Sequence, residues 1–263
     1  MDESSSRRDF LKAVTAIGAI GLPGAVTAIP PAAVPAPRPP HHGADGAARS
    51  VTGDAYLYFT APEVAFIEAA LTSLIPADEL GPGAREAGVA HFIDRELAGA
   101  FGAAASTYRE GPWPEGTPEQ GFQSRLTPSE IYRAAIAETN AHCRALHGRA
   151  FDELDGGARE EVLKGLEAGD IALEPVSARL FFGMLWSNAQ EGFFADPMYG
   201  GNRDKAGWAL VGFPGVAAAY IDEIGKHNVP YRVVPVSIGD IQQGRAAVDH
   251  HGHAVHVPIG KSG

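Results

Sequence analysis

The chain has 263 residues, 45% of them hydrophobic and 20% charged, with a formal charge of −11. Length and apolar content suffice for a real core in one domain or two small ones, as in an ordinary globular protein. Acidic residues are spread along the chain, and no run of Lys or Arg occurs beyond the amino terminus, so nucleic acid and anionic membrane surfaces are poor partners.

In chain order, the first element is a leader. Ser6-Arg7-Arg8-Asp9-Phe10-Leu11-Lys12 precedes a mildly apolar, Gly/Ala-rich stretch from Ala13 to Ala28, and Val26-Thr27-Ala28 offers a small-x-small cleavage site. That order predicts a twin-arginine export signal over residues 1–28, with Arg7, Arg8, Phe10 and Leu11 carrying the address and the periplasm as destination. Gly18, Gly21, Pro23 and Gly24 interrupt the apolar stretch, which falls short of the ~20 residues a bilayer span needs. A Pro/Ala/Gly-rich leader over 29–55 then reads as extended and exposed.

The mature domain, 56–225, reads as helices joined by Pro/Gly loops. Thr60-Ala61-Pro62-Glu63 is a capping box, in which the Thr hydroxyl is expected to accept the Glu63 backbone N–H while the Glu side chain reaches back. Val64, Ile67, Leu71, Leu74 and Ile75 follow at helical steps until Pro76 and Gly81-Pro82-Gly83 break the pattern. A second helix is predicted from Ala84 to Leu97. Tyr108 to Gly121 reads as a surface excursion. A second capping box, Thr127-Pro128-Ser129-Glu130, opens a helix that directs Ile131, Ala135, Ile136, Thr139, Cys143 and Leu146 to the core. A shorter helix is predicted around Glu160 to Leu166, ending at Gly169. After Pro175 a strongly apolar one carries Leu180, Phe181, Leu185 and Phe193. Residues 226–263 form an irregular, His-rich extension with short extended pieces such as Tyr231-Arg232-Val233-Val234. Strict period-2 runs are too few for a sizeable sheet, so the fold is mainly α, a helical domain with long Pro/Gly loops and an irregular tail.

The most distinctive chemistry lies between Gln190 and Gly215, where Glu191-Gly192-Phe193-Phe194 leads through Asp196-Pro197-Met198-Tyr199-Gly200-Gly201-Asn202 to Gly207-Trp208 and Gly212-Phe213-Pro214-Gly215. Gly200, Gly201 and Asn202 tolerate positive φ, so a defined turn is expected there, with Asp196 accepting backbone N–H bonds. Aromatic residues among glycines build rigid packing or interface surfaces more often than ligand pockets, which makes Tyr199, Trp208 and Phe213 candidate exposed interface residues. Glu191, Asp196 and Asp204 invite a general acid–base reading, but carboxylates beside a turn usually cap amides.

Cofactor motifs are missing. The single cysteine, Cys143, cannot ligate an iron–sulfur cluster within the chain, no C-x-x-C-H haem attachment occurs, and neither G-x-G-x-x-G nor a P-loop is present in the mature chain. Cys143 is either a buried apolar residue on a helix face or a thiol bridged to another chain in an oxidising compartment, a candidate intersubunit disulfide. His250, His251, His253 and His256 have spacing able to hold zinc or copper, the basis of an alternative reading as a stand-alone exported metal-dependent enzyme. A flexible polar terminus is the simpler expectation. A signal for folded export on a chain without cofactor motifs makes sense if the cofactor travels in a companion.

Several of these segments together resemble the gluconate 2-dehydrogenase subunit 3 family: the Arg-Arg-Asp-Phe-Leu-Lys leader, Leu74-Ile75-Pro76-Ala77-Asp78 with Gly83-Ala84-Arg85-Glu86-Ala87-Gly88-Val89, Phe92-Ile93-Asp94, and the block from Glu191 to Gly215. The resemblance implies a small subunit without chemistry or cofactor of its own. Its partners would be an FAD-dependent catalytic subunit of the glucose-methanol-choline type and a cytochrome c subunit holding haem c. It would support folding, assembly and export of the flavoprotein, associated with the membrane only through the complex. The substrate stays open among sugars, polyols and sugar acids.

Overall fold

Five helices of ten residues or more carry the architecture: α1 (Ala61–Leu74), α2 (Val89–Ala98), α3 (Pro128–His147), α4 (Gly156–Ala168) and α5 (Ala178–Phe194). Two short ones follow, α6 (Ala206–Val211) and α7 (Ile238–Gln242). They belong to a computed structural model that describes residues 55–114, 116–117, 124–216 and 223–259. The expected export signal and the leader, up to residue 54, lie outside the described residues. The described helices all fall within one unit, Tyr56–Gly263. The fold is mainly α, as the periodicity predicts.

Helix starts follow the capping chemistry with one change. At α3 both legs of the box form: the Glu130 N–H donates to Thr127 Oγ1 at 3.2 Å, and the Thr127 N–H donates to Glu130 Oε2 at 2.8 Å. At α1 only the returning leg forms. The Thr60 N–H donates to Glu63 Oε2 at 2.8 Å, and the Thr60 hydroxyl, instead of accepting an amide, donates to that same oxygen at 2.8 Å. Glu63 is buried and also faces Arg133 at 3.6 Å.

Two predicted boundaries move. The second helix begins at Val89, not Ala84, because Gly88 adopts φ +74°, a left-handed conformation that ends the preceding turn and is open to glycine. The fourth is longer than expected: Asp155 accepts the Ala158 N–H at 3.0 Å and starts α4 at Gly156, and Gly169 at φ +75° ends it. One predicted core residue is misplaced. Leu146 is 67% exposed, because the last turn of α3 runs beyond the helices that cover Ile131, Ala135, Ile136, Thr139 and Cys143.

α1 and α5 each touch the four other long helices, and a line of rings threads between them. Phe151 lies 4.6 Å from Phe66 on α1, Phe66 lies 6.3 Å from Phe181 on α5, and Phe181 meets the edge of Tyr132 on α3 at 5.4 Å. Phe59 closes the line 6.2 Å from Tyr132. The Tyr132 hydroxyl, buried in this line, accepts the Asn188 side-chain N–H at 3.1 Å. Burying each ring contributes about 2–3 kcal/mol of transfer free energy, a large fraction of a domain's usual margin of about 5–15 kcal/mol.

The carboxyl-terminal extension, expected to be irregular with a flexible histidine tail, folds back on the loop after α5. The Val216 N–H donates to Val236 O at 2.7 Å, and the Val234 N–H donates to Val257 O at 2.9 Å. A tight turn closes where the Asp249 N–H donates to His253 O at 2.9 Å and the Asp249 carboxylate accepts the His251 and His253 amides. Among the described residues this pairing stops at isolated bridges. Burial of Val233 and Val236 supplies the apolar contact that composition alone did not suggest.

Candidate functional site: the aromatic and glycine loop

The loop after α5 is built by side chains that bond backbone. Asp196 accepts the Met198 N–H at 3.0 Å, which caps a 3-10 turn over Pro197–Tyr199, and its second oxygen accepts the Ile238 N–H at 2.7 Å, which ties in the start of α7. Asn202 is buried at φ +46°. Its side-chain amide donates to Ala195 O and accepts the Gly207 N–H, both at 2.8 Å, so one residue bridges the end of α5 to the beginning of α6. Lys205 Nζ reaches Asp240 at 2.6 Å and Pro235 O at 2.9 Å.

The loop and the end of α5 are held against the start of α2 by close approach. The Arg203 N–H donates to Ala87 O at 2.8 Å. A Cβ added at Gly192 would stand 2.7 Å from the Phe92 ring and 2.8 Å from Val89, and one added at Gly201 would stand 2.1 Å from Gly192 O. These glycines are required by contact distance, since a side chain at Gly192 would force α5 from α2 and one at Gly201 would force the loop from α5.

The three aromatic candidates separate. Tyr199 is 48% exposed and Phe213 is 45% exposed, with Met198 and Val211 also at the surface. Trp208 is 5% exposed, which corrects its place among the exposed aromatics. Its indole N–H donates to Phe194 O at 2.7 Å, and its ring meets Phe213 edge-on at 5.2 Å. A buried indole with a satisfied N–H is a packing residue; it sets the angle at which Phe213 is displayed.

The remaining candidates divide as follows. Asp196 caps amides, as expected. Glu191 accepts the Ser187 hydroxyl at 2.9 Å and lies near Glu96, whose carboxyl is raised by burial and then by the Glu191 charge. Cys143 is buried with a free thiol, pushed up to about 11 by burial, an environment that favours the core reading over the bridged one. His256 Nε2–H donates to Val216 O at 2.8 Å, and His253 Nδ1 lies 3.4 Å from Asp249. Among the described residues no three His, Cys, Asp or Glu side chains are grouped to hold a metal ion. Arg7, Arg8, Phe10 and Leu11 lie outside the described residues.

The sequence reading missed two polar anchors. Asp94, buried within α2, accepts the amides of Leu57, Tyr58 and Phe59 at 2.6, 2.9 and 2.8 Å. Asp240, packed under the loop, accepts from Lys205, from the Ser237 N–H at 2.9 Å and from Arg245 at 2.8 and 3.0 Å. Burial pushes the Asp240 carboxyl up, but these donors outweigh it and hold it well below the usual range. An acidic residue on an otherwise apolar helix face, as Asp94 is between Ile93 and Leu97, was the available signal.

A family model described as gluconate 2-dehydrogenase subunit 3 matches residues 61–215. The chain belongs to the gluconate 2-dehydrogenase subunit 3 family. The match begins at the first residue of α1 and ends at Gly215, so it takes in all five long helices and the whole aromatic loop. No curated protein and no solved structure matches the chain. As the family's description states a subunit, the protein is a component of a multi-subunit dehydrogenase. No helix among the described residues is long and apolar enough to cross a membrane.

Proposed function

We propose that the chain is a non-catalytic small subunit that supports folding, assembly and twin-arginine export of an FAD-bearing dehydrogenase subunit of the glucose-methanol-choline type. That partner oxidises a sugar, polyol or sugar acid in the periplasm and passes electrons to a cytochrome c subunit. The family match over the whole helical body carries this reading. The Arg7-Arg8 leader supports it, because a folded-export address on a chain without nucleotide or haem motifs serves a companion that holds the cofactor. The surface aromatics support it as well. Tyr199 and Phe213 stand on a loop fixed by Asn202, Asp196 and Lys205, and rigid exposed aromatics are what a partner surface needs for tight packing.

Co-expression tests the proposal. With the native leader, flavoprotein activity is expected in the periplasmic fraction; with Arg7→Lys and Arg8→Lys together it is expected to remain in the cytoplasm. Active periplasmic flavoprotein in the double variant would sink the export role. Catalysis by the purified chain without its partner would sink the non-catalytic role.

A further inference from the structure

A polar cavity of about 210 Å³ opens where the loop meets the start of α2, lined by Tyr56, Glu68, Arg85, Gly88, His91 and Arg203 among others. One wall is an aromatic plane: Tyr56 and His91 stack at 4.4 Å with 9° between their rings. The acidic groups already have partners. Glu68 pairs with Arg85 at 3.2 Å and accepts the Tyr56 hydroxyl at 3.2 Å, while Glu86 accepts the Gly83 N–H at 3.0 Å.

Arg203 differs from the other charges. Its guanidinium lies over Gly88, 3.4 Å from where a Cβ on that glycine would sit, and no carboxylate among the described residues forms an ion pair with it. Its field reaches Tyr56 across the cavity, where it offsets part of the upward pull of burial and Glu68 on the phenol. The backbone displaying it is costly. Asn202, Asp204 and Lys205 all have φ between +46° and +58°, a left-handed conformation that is unfavourable for L-residues. The Asn202 and Lys205 bonds offset that cost, so the loop holds Arg203 in place over the glycine floor.

We propose that this cavity binds a small carboxylate anion, with the Arg203 guanidinium as its bidentate anchor and the Tyr56–His91 pair as a flat wall. A planar fork matches a carboxylate through two parallel N–H donors, and the Gly88 floor leaves room for both. The inference does not depend on the assembly role proposed above.

Titration calorimetry of the full chain with succinate in low-salt buffer tests it. One saturable site is expected. Arg203→Gln should weaken binding by about tenfold or more, since it removes a charge-assisted pair, while Arg149→Gln, outside the cavity lining, should leave it unchanged. Arg203→Lys keeps the charge, loses the fork and should bind with intermediate affinity; it supplies the comparison if Arg203→Gln lowers the unfolding midpoint. Absence of saturable binding, binding insensitive to both Arg203 variants, or equally tight binding of inorganic phosphate would each overturn the proposal.

Discussion

Asp94 Oδ1 accepts the backbone N–H of Tyr58 at 2.9 Å, across 36 positions of sequence, and the same carboxylate takes the amides on either side of it. The strap before α1 is thereby fastened to α2. Arg133 completes the fastening, its guanidinium 4.6 Å above the Tyr58 ring and donating to Tyr58 O at 3.2 Å, while the Tyr58 hydroxyl donates to Ser129 O. Asp94→Ala leaves three amide donors without their acceptor and should cost about 3 kcal/mol. Urea unfolding measures that loss, and limited proteolysis should show new cleavage around residues 55–60 before the helices are cut. Unchanged stability together with an uncut strap would show that the clasp is idle.

The surface and the support of the aromatic loop are separable by mutation. Trp208→Ala empties a buried site and removes a satisfied N–H, so it should lower stability by about 3 kcal/mol. Tyr199→Ser and Phe213→Ser remove exposed rings and should cost under about 1 kcal/mol in the isolated chain. On the proposed assembly role, the same two substitutions should weaken co-purification of the flavoprotein by about tenfold or more when combined. Retention of full co-purification by the double variant would move the interface elsewhere on the molecule.

Asp240 makes part of the stability acid-sensitive. Its folded-state carboxyl is held below the ordinary value of 3.8, so it contributes stability that is fully present above that pH and is lost as pH falls toward the folded value. Asp240→Asn should therefore melt below the native chain at pH 7, and the gap should narrow as pH drops below about 3.8. Thermal unfolding at a series of pH values reads the gap. A difference constant down to strongly acid pH would mean that the Lys205 and Arg245 contacts do not depend on the charge of Asp240.

Cys143 should behave as a core residue. With its thiol covered and pushed up to about 11, it should resist alkylation in the native chain at pH 8 and react fully in denaturant. Non-reducing electrophoresis of the assembled complex should then show no heavier band that Cys143→Ser removes. Rapid native labelling, or such a band, would establish that α3 opens to a partner.

Local signals accounted for most of the helices and for the family. The Thr-x-x-Glu boxes with proline in the first turn opened α1 and α3 where expected, and the apolar spacing after Pro175 found α5. Capping and periodicity act within a few residues, so they are legible in one dimension. The helix starts at Val89 and Gly156 were misjudged because a left-handed Gly88 and an Asp155 cap interrupt or extend a pattern that spacing alone reads as continuous.

By itself the sequence determined the helical class, the membership carried by the segments from Leu74 to Gly215, and the tight turn that Gly200, Gly201 and Asn202 permit. Only the tertiary structure decided which polar and aromatic side chains turn inward. Asp94 meets amides 35 to 37 positions away, Trp208 folds its N–H onto Phe194, Lys205 crosses 30 positions to Pro235, and Arg203 is left over Gly88 without an ion-paired carboxylate among the described residues. These outcomes depend on which helix faces come within hydrogen-bond distance when the core closes, and no local spacing along the chain encodes that distance.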